Sequence, residues 1–202
     1  PYDKGGAYRK WYGNNEFIVN WENDGEEVLG YAASLYGSPT RTIKNISMYF
    51  KEGITWSAIT SGKLSVRFTG IGHIFSNAGM KIFSNGNALL ISQLALLNSK
   101  VSEYLVSCLS QTLNFDQGII ARLPVIESGQ SDVVSQNLIT CSRNDWNAYE
   151  RSWDFQSFPL LTASTASTLT LESSYTAWIT QNRDTIAEMK RLEEENNRLF
   201  ID

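Results

Sequence analysis

The hydrophobic pattern of the first 83 residues consists of short apolar runs separated by glycine, asparagine and serine. Runs of this kind are typical of β-strands. They predict short strands at residues 17–19, 47–50, 64–68, 73–75 and 81–83.

The clearest run is residues 63–68, where polar and apolar side chains alternate strictly and therefore give a strand two different faces. We expect Leu64, Val66 and Phe68 to pack, and the opposite face to meet water or a ligand; that polar face carries Lys63, Ser65 and Arg67. Ser61 and Gly62 supply turn residues, so residues 50–60 are expected to pair with this strand as a hairpin.

A helical pattern replaces the strand pattern after Asn85. Apolar residues then recur at steps of three and four, which predicts a buried amphipathic helix over residues 87–109 with Asn87 as its N-cap; they are Leu90, Leu94, Leu97, Val101, Tyr104 and Cys108. Asn98 and Ser99 can end one helix and cap the next, so one helix and two helices both fit the pattern. Residues 114–127 are interpreted as a loop and a short apolar strand that ends near Pro124.

The C-terminal third begins with aromatic residues among polar ones, which we interpret as a packed strap over residues 140–161; they are Trp146, Tyr149, Trp153, Phe155 and Phe158. A run of serine and threonine at 162–170 is typical of a linker. From Leu171 onward, residues spaced four and three alternately predict a long helix with a heptad seam that packs on another helix.

These patterns predict an α+β fold in which a twisted, mostly antiparallel sheet packs with one or two core helices. We expect three parts: a domain at 1–139, the aromatic strap and linker at 140–170, and a helical spacer at 171–202. Because no charged and then apolar leader follows Pro1, we expect neither a secretory signal nor a membrane span, and we expect the sequence to be a piece of a longer chain.

The net charge of −4 is unevenly distributed, and a local field matters more to a nucleic acid than the sum does. Residues 1–124 hold 11 Lys or Arg against 9 Asp or Glu, a balance of +2. Residues 125–202 hold 6 against 12, a balance of −6. The first part is therefore compatible with a surface that faces phosphate, although ordinary domains often carry such a balance.

Catalytic and metal-binding motifs are missing from the sequence. Cys108 and Cys141 are too few for a disulfide framework, which fits a reducing cytoplasm, and with one histidine they lack zinc-ligand spacing. His73 has no neighbour in sequence to orient it as a base, so a hydrolase that uses it is a weak third hypothesis. Gly70 and Gly72 lack the third glycine and the helix of a nucleotide-binding loop.

Several sequence blocks resemble the segment that follows the catalytic domain in PglX-type methyltransferases of BREX phage-exclusion systems. In order, they are DKGGAYRKWYGN at 3–14, VNWENDG at 19–25, YFKEGITWS at 49–57, SVRF at 65–68, LNSK at 97–100, LNF at 113–115, LP at 123–124, WDF at 153–155, PL at 159–160 and NRLFID at 197–202. The resemblance covers nearly the whole chain.

The resemblance implies an adenine-specific DNA methyltransferase that uses S-adenosylmethionine. An adenine methyltransferase needs a glycine-bearing cofactor loop and an Asn/Asp-Pro-Pro-aromatic motif, and all four prolines here stand alone. We therefore expect the cofactor and the catalysis to belong to the rest of the parent enzyme, and this part to recognise the target in double-stranded DNA. The expected partners are DNA and the parent methyltransferase domain, with other defence-system proteins as a further option.

The candidate DNA-binding residues are cationic or polar side chains that can reach phosphates or base edges: Lys4, Arg9, Lys10, Lys44, Ser57, Lys63, Ser65 and Arg67. The polar face of residues 63–68 fits equally well as an ordinary solvated strand face. Arg9 and Lys10 lie beside Trp11 and Tyr12, which suits phosphate contact but also suits an aromatic anchor to the core. Hydroxyl groups at 55, 57, 60 and 61 fit phosphate donors and turn formers alike.

A second function fits the same sequence. The acidic, aromatic C-terminal part and its heptad seam are also what a protein-interaction module would carry, one that docks other components of a defence system.

Overall fold

A computed structural model of the chain describes residues 1–60, 62–84, 86–110, 114–126, 131–163 and 170–201. Ser61 of the predicted turn, Asn85, Leu113 of one sequence block, Glu127, residues 164–169 of the predicted linker and Asp202 lie outside the described residues.

The described elements confirm the α+β class. In chain order they are β1 (Tyr2–Asp3), α1 (Glu26–Tyr36), β2 (Gly53–Ser57), β3 (Val66–Thr69), β4 (Ile74–Phe75), β5 (Gly79–Ile82), α2 (Asn87–Leu97), α3 (Lys100–Leu109), α4 (Gln117–Ile120), α5 (Ser131–Asn147), α6 (Pro159–Thr162) and α7 (Leu171–Ile201), with 3-10 turns at Glu22–Gly25, Pro39–Arg41 and Ile46–Met48. None of the helices in the described ranges is long and apolar enough to cross a membrane.

The sheet is antiparallel, with strand order β3-β2-β5, and it confirms the predicted hairpin of residues 50–60 with residues 63–68. Trp56 pairs with Val66 across the hairpin and with Met80 on the other side. The central strand β2 is buried along its whole length, since helix α2 covers the sheet. A second pair, β1 with β4, is parallel and only two residues long.

Two helices, not one, follow the sheet, because the chain breaks at Asn98 and Ser99. The Ser99 hydroxyl accepts a hydrogen bond from the backbone N–H of Ser102 and so caps α3. The Asn98 side chain bonds to both the N–H and the carbonyl of Val66 at 3.0 and 2.9 Å. The break therefore also fixes α2 against β3.

Helix α7 confirms the long helix predicted from Leu171, and its buried residues all lie in its C-terminal half. Leu171 is 76% exposed, whereas Leu192 is 2% exposed and Asn196 is fully buried. Asn196 donates to the carbonyl of Ala95 at 3.0 Å. The heptad positions in this half of α7 thus pack against the same chain, and the polar one among them, Asn196, is hydrogen-bonded to α2.

Several predictions of local structure were wrong. Helix α1 forms in a segment for which no element was predicted. Gly25, which precedes it, has φ +81, and an added Cβ there would lie 2.9 Å from the ring of Trp21, so the position favours glycine. Residues 114–126 contain α4 and no strand, residues 46–48 form a 3-10 turn, and the predicted strap begins as the last turns of α5. Three of its aromatic rings are more than 45% exposed: Tyr149, Trp153 and Phe158.

Candidate nucleic-acid interface

The polar face of β3 is buried, which corrects the expectation that it meets water or a ligand. Ser65 and Arg67 do share a face, as the alternation predicted, but they are only 4% and 1% exposed. The N-terminal segment lies alongside this strand: the Trp11 N–H donates to the Val66 carbonyl, and the Phe68 N–H donates to the Trp11 carbonyl. The alternation at residues 63–68 could not predict this burial, because the residues that cover the strand precede it by more than 50 positions.

Arg67 makes its hydrogen bonds to the segment that buries it. Its Nη1 donates to the carbonyl of Arg9 at 3.2 Å and its Nη2 to the hydroxyl of Ser57 at 3.4 Å, while its Nε has no partner among the described residues. Burial lowers the pKa of Arg67 to about 10, although the charge of Asp3 acts in the opposite direction. Ser57 in turn donates to the carbonyl of Gly6. Arg67 and Ser57 thus hold residues 5–9 in place.

Arg9 and Lys10 are paired with carboxylates of the C-terminal helices. Arg9 Nη2 lies 2.6 Å from Asp145 of α5, and Lys10 Nζ lies 2.8 Å from Glu193 of α7. The indole N–H of Trp11 also donates to Glu193. The aromatic residues beside these cations are therefore anchors, as one of the two interpretations predicted, and the positive charge is largely neutralised within the chain.

Lys63, the third residue of the predicted polar face, is exposed. Its Nζ lies 2.5 Å from Glu103 of α3, which also contacts Lys100 at 3.3 Å. Partial burial acts to raise the pKa of Glu103, but the hydrogen bonds and charges of the two lysines outweigh it, so this pKa lies below its ordinary value. Lys63 belongs to a surface ion-pair group.

Lys4 and Lys44 are brought together by the fold, although 40 residues separate them in sequence. Both are exposed, neither forms a salt bridge with a described residue, and both line a cavity of about 360 Å³. None of the described residues that line this cavity carries a carboxylate. We call this cavity the Lys4–Lys44 cleft. It combines a concave shape with two ammonium groups that no described carboxylate pairs, which the other predicted cations do not, although the ammonium of Lys4 lies 4.9 Å from the centre of the Phe17 ring.

The wall of the Lys4–Lys44 cleft is a set of aromatic rings packed edge to face. The rings of Trp21 and Tyr49 lie 5.1 Å apart, and those of Tyr49 and Phe75 lie 5.3 Å apart. Burial raises the pKa of Tyr49 above its ordinary value, so its hydroxyl stays protonated at neutral pH. Sequence reasoning missed these rings as site residues, although Trp21 and Tyr49 both lie in blocks that carry the family resemblance.

The chain is 39% identical, over its whole length, to the adenine-specific methyltransferase PglX of Lacticaseibacillus casei (strain Zhang). It is 36% identical, over 80% of its length, to the adenine-specific methyltransferase BrxX of Escherichia coli O9:H4 (strain HS).

The chain is a homologue of part of PglX and BrxX. It spans 17% of the length of PglX and 13% of the length of BrxX. No protein-family model matches it.

In this PglX homologue, a buried polar group lies next to the cleft, where β1 pairs with β4. Asp3 accepts from Lys81 at 3.4 Å and lies 2.9 Å from His73 Nδ1, and Asp3 and the Lys81 side chain are almost completely buried. Burial lowers the pKa of Lys81, while Asp3 acts to raise it. His73 therefore has an orienting partner, which sequence reasoning missed because Asp3 lies 70 residues away.

The described residues do not complete a catalytic or metal centre around this group. No hydrogen bond joins His73 to a hydroxyl or thiol in the described part of the chain, and Cys108 and Cys141 are free thiols that do not pair with each other. Within the same ranges, no three His, Cys, Asp or Glu residues cluster as metal ligands would.

Proposed function

We propose that this chain is the DNA target recognition part of a site-specific, S-adenosylmethionine-dependent adenine-N6 methyltransferase that acts in phage defence. The observation that carries the proposal is the Lys4–Lys44 cleft, where two exposed lysines without a salt bridge to a described residue lie on a cavity whose described lining carries no carboxylate. The homology to adenine-specific methyltransferases supports the enzyme class. The cofactor and the reacting groups are assigned to the rest of the parent enzyme, in the cytoplasm.

The cleft suits a polyanion although the chain has a net charge of −4. Exposed charges interact over about 8–10 Å at physiological salt, so DNA responds to the nearest side chains and not to the sum. Lysine ammonium groups that contact phosphates release condensed counterions, which favours binding. Aromatic rings at Trp21 and Phe75 add a stiff apolar surface for sugar or base contact.

The test is neutralisation of the two lysines in the full-length parent enzyme. Lys4→Gln and Lys44→Gln are each expected to weaken DNA binding across all sequences and to reduce the slope of log affinity against log salt by about 1. Lys190→Gln, an exposed lysine on α7 that does not line the cleft, is the matched control and should change neither quantity. Unchanged affinity and salt slope in both cleft variants, with normal methylation, would reject the proposal.

A protein-interaction module is the second candidate. An apolar cavity of about 460 Å³ between α5, α6 and α7 is lined by exposed rings such as Tyr149 and Phe158 together with Trp178, and rings of this kind are enriched in protein interfaces. The lysine experiment separates the two functions, since a module of this kind loses no DNA affinity when the cleft is neutralised.

A further inference from the structure

A second cavity, of about 600 Å³, adjoins the Lys4–Lys44 cleft. The two cavities are neighbours that share four described lining residues: Asn45, Phe75, Ser76 and Asn77. The second cavity lies between the sheet residues Met80 and Ile82 and the helices α2 and α4. We call it the amide cavity, because of the side chains described next.

Among the described residues that line the amide cavity, none carries a carboxylate and four carry a primary amide: Asn45, Asn77, Gln93 and Gln117. Gln93 extends from α2, and its Oε1 is buried without a hydrogen-bond donor among the described residues. A buried acceptor without a donor is costly, and native structures rarely keep one without a reason. Gln93 is therefore the amide of this cavity whose acceptor the described protein groups leave unsatisfied.

The three remaining amides lie in exposed positions, and their side chains make no hydrogen bond within the described ranges. Asn45 has a left-handed backbone at φ 56, which asparagine tolerates better than most residues, and it stands directly after Lys44. Lys44, the proposed phosphate contact, thus lies next to amide groups that can both donate and accept hydrogen bonds.

We propose that the amide cavity reads the base edges of the DNA whose backbone the Lys4–Lys44 cleft holds, with adenine as the preferred base. An amide side chain donates through its nitrogen and accepts through its oxygen. The major-groove edge of adenine presents the complement, an N7 acceptor and an N6 amino donor, so the pair is bidentate. The apolar floor at Met80, Ile82 and Phe83 suits the methyl group of the paired thymine.

DNA is favoured over a protein segment as the occupant because the amide cavity adjoins the two lysines of the Lys4–Lys44 cleft, and no described residue that lines either cavity carries a negative charge. Lys81 is the one cation among the described residues that line the amide cavity, and its ammonium is held by Asp3. The inference rests on the proposed function, since the lysine cleft must hold the backbone for the amides to meet the bases.

The experiment maps the methylated adenines in host DNA for the full-length enzyme with Gln93→Ala, Asn77→Ala or Gln117→Ala. Each removes one amide, and we expect discrimination at one position of the recognised sequence to fall by roughly 10- to 100-fold. The salt slope of binding should stay unchanged, because no phosphate contact is lost. Gln136→Ala, an exposed amide on α5 that lines neither cavity, should leave the recognised sequence as it is.

The outcomes separate this inference from the proposed function. If all three variants methylate the same sequence with the same discrimination while Lys44→Gln still reduces the salt slope, the amide cavity does not read bases and the DNA-binding proposal stands. If Lys4→Gln and Lys44→Gln have no effect, both fail. Asn77 and Gln117 are exposed, so their variants should fold even if the buried end of Gln93 proves necessary for stability, and these two variants then decide the test. Loss of a bound protein with an unchanged recognised sequence would point to a protein groove and overturn the inference.

Discussion

Three basic side chains of the N-terminal part show how the surroundings decide the role of a charge. Arg67 is buried and bonded to backbone and hydroxyl oxygens, Lys10 is paired with Glu193, and Lys44 is exposed without a carboxylate partner. Only the last of these has its charge available to a ligand. The count of Lys and Arg in a sequence therefore overestimates the charge that a nucleic acid can meet.

Replacing Arg67 by alanine tests its structural role. The change opens a cavity and leaves the carbonyl of Arg9 without its donor, so we expect the free energy of unfolding to fall by about 2–4 kcal/mol. Urea unfolding of the chain measures this loss. In the same assay Lys44→Gln should stay within about 0.5 kcal/mol of the parent, as is usual for surface substitutions.

The salt slope of DNA binding provides the control for Arg67→Ala. Measured below the unfolding midpoint, the slope should equal that of the unmodified chain, because Arg67 contacts no phosphate in the arrangement described. A slope reduced by about 1 with unchanged stability would instead restore Arg67 as a DNA contact.

The alternation at residues 63–68 predicted correctly which side chains share a face, because a strand has a period of two. It predicted wrongly that Ser65 and Arg67 are open to solvent, because a polar face covered by polar backbone has the same sequence pattern as an exposed one. Lys4 and Lys44 were both candidates, but their proximity depends on the tertiary fold. Nothing local in the sequence pairs them.

Helix α7 is the element on which the two ends of the chain meet. Its residue Glu193 accepts from both Lys10 and Trp11, and Asn197 accepts from the backbone N–H of Lys100 at the start of α3. A helix predicted as a spacer is, over its C-terminal half, part of the core. Deleting residues 171–202 would therefore remove core contacts along with any interaction surface.

The neighbouring residues Glu193 and Glu194 allow a matched test of this contact. Glu193→Gln leaves the half-buried ammonium of Lys10 without its counter-charge, so the free energy of unfolding should fall by about 1–2 kcal/mol. Glu194→Gln removes only an exposed pair with Arg198 and should cost less than about 0.5 kcal/mol. Chemical denaturation of both variants at neutral pH measures the difference. Equal losses would mean that the Lys10–Glu193 pair contributes no more to stability than a surface ion pair does.

Elements with a strong period or a clear cap were predictable, and short ones were not. The break at Asn98 and Ser99 and the start of α7 follow from capping chemistry and heptad spacing. Helix α1 was missed because its sequence, with Gly30 inside it, carries only a weak apolar stripe and one buried residue, Ala32. Helix α4 is a single turn that tertiary contacts fix, so four residues gave no helical period to detect.

At the scale of the whole molecule, positive and negative charge are segregated. The Lys4–Lys44 cleft belongs to residues 1–124, with a balance of +2, and residues 125–202 carry a balance of −6. Two carboxylates of the acidic C-terminal part, Asp145 and Glu193, are neutralised by salt bridges to Arg9 and Lys10. The remaining carboxylates should repel DNA from the rest of the surface and so favour one orientation on the cleft.

A double variant, Glu172→Gln with Asp154→Asn, measures the distance over which the C-terminal carboxylates repel DNA. Both side chains are exposed, neither forms a salt bridge with a described residue, and neither lines the cleft. Near 0.01 M salt, where the screening length is about 30 Å, we expect DNA to associate faster with the double variant. Near 0.15 M salt, where that length is about 8 Å, the two rates should agree.

Stopped-flow association with labelled duplex at both salt concentrations checks this, and Lys44→Gln serves as the opposite control because it should slow association at both. Since the neutralised carboxylates touch no DNA, any gain must act through the field and must vanish as salt screens it. A gain that persists at 0.15 M would place these carboxylates within contact range of the DNA. The duplex would then lie against the C-terminal part of the chain, and the cleft would not be its principal site.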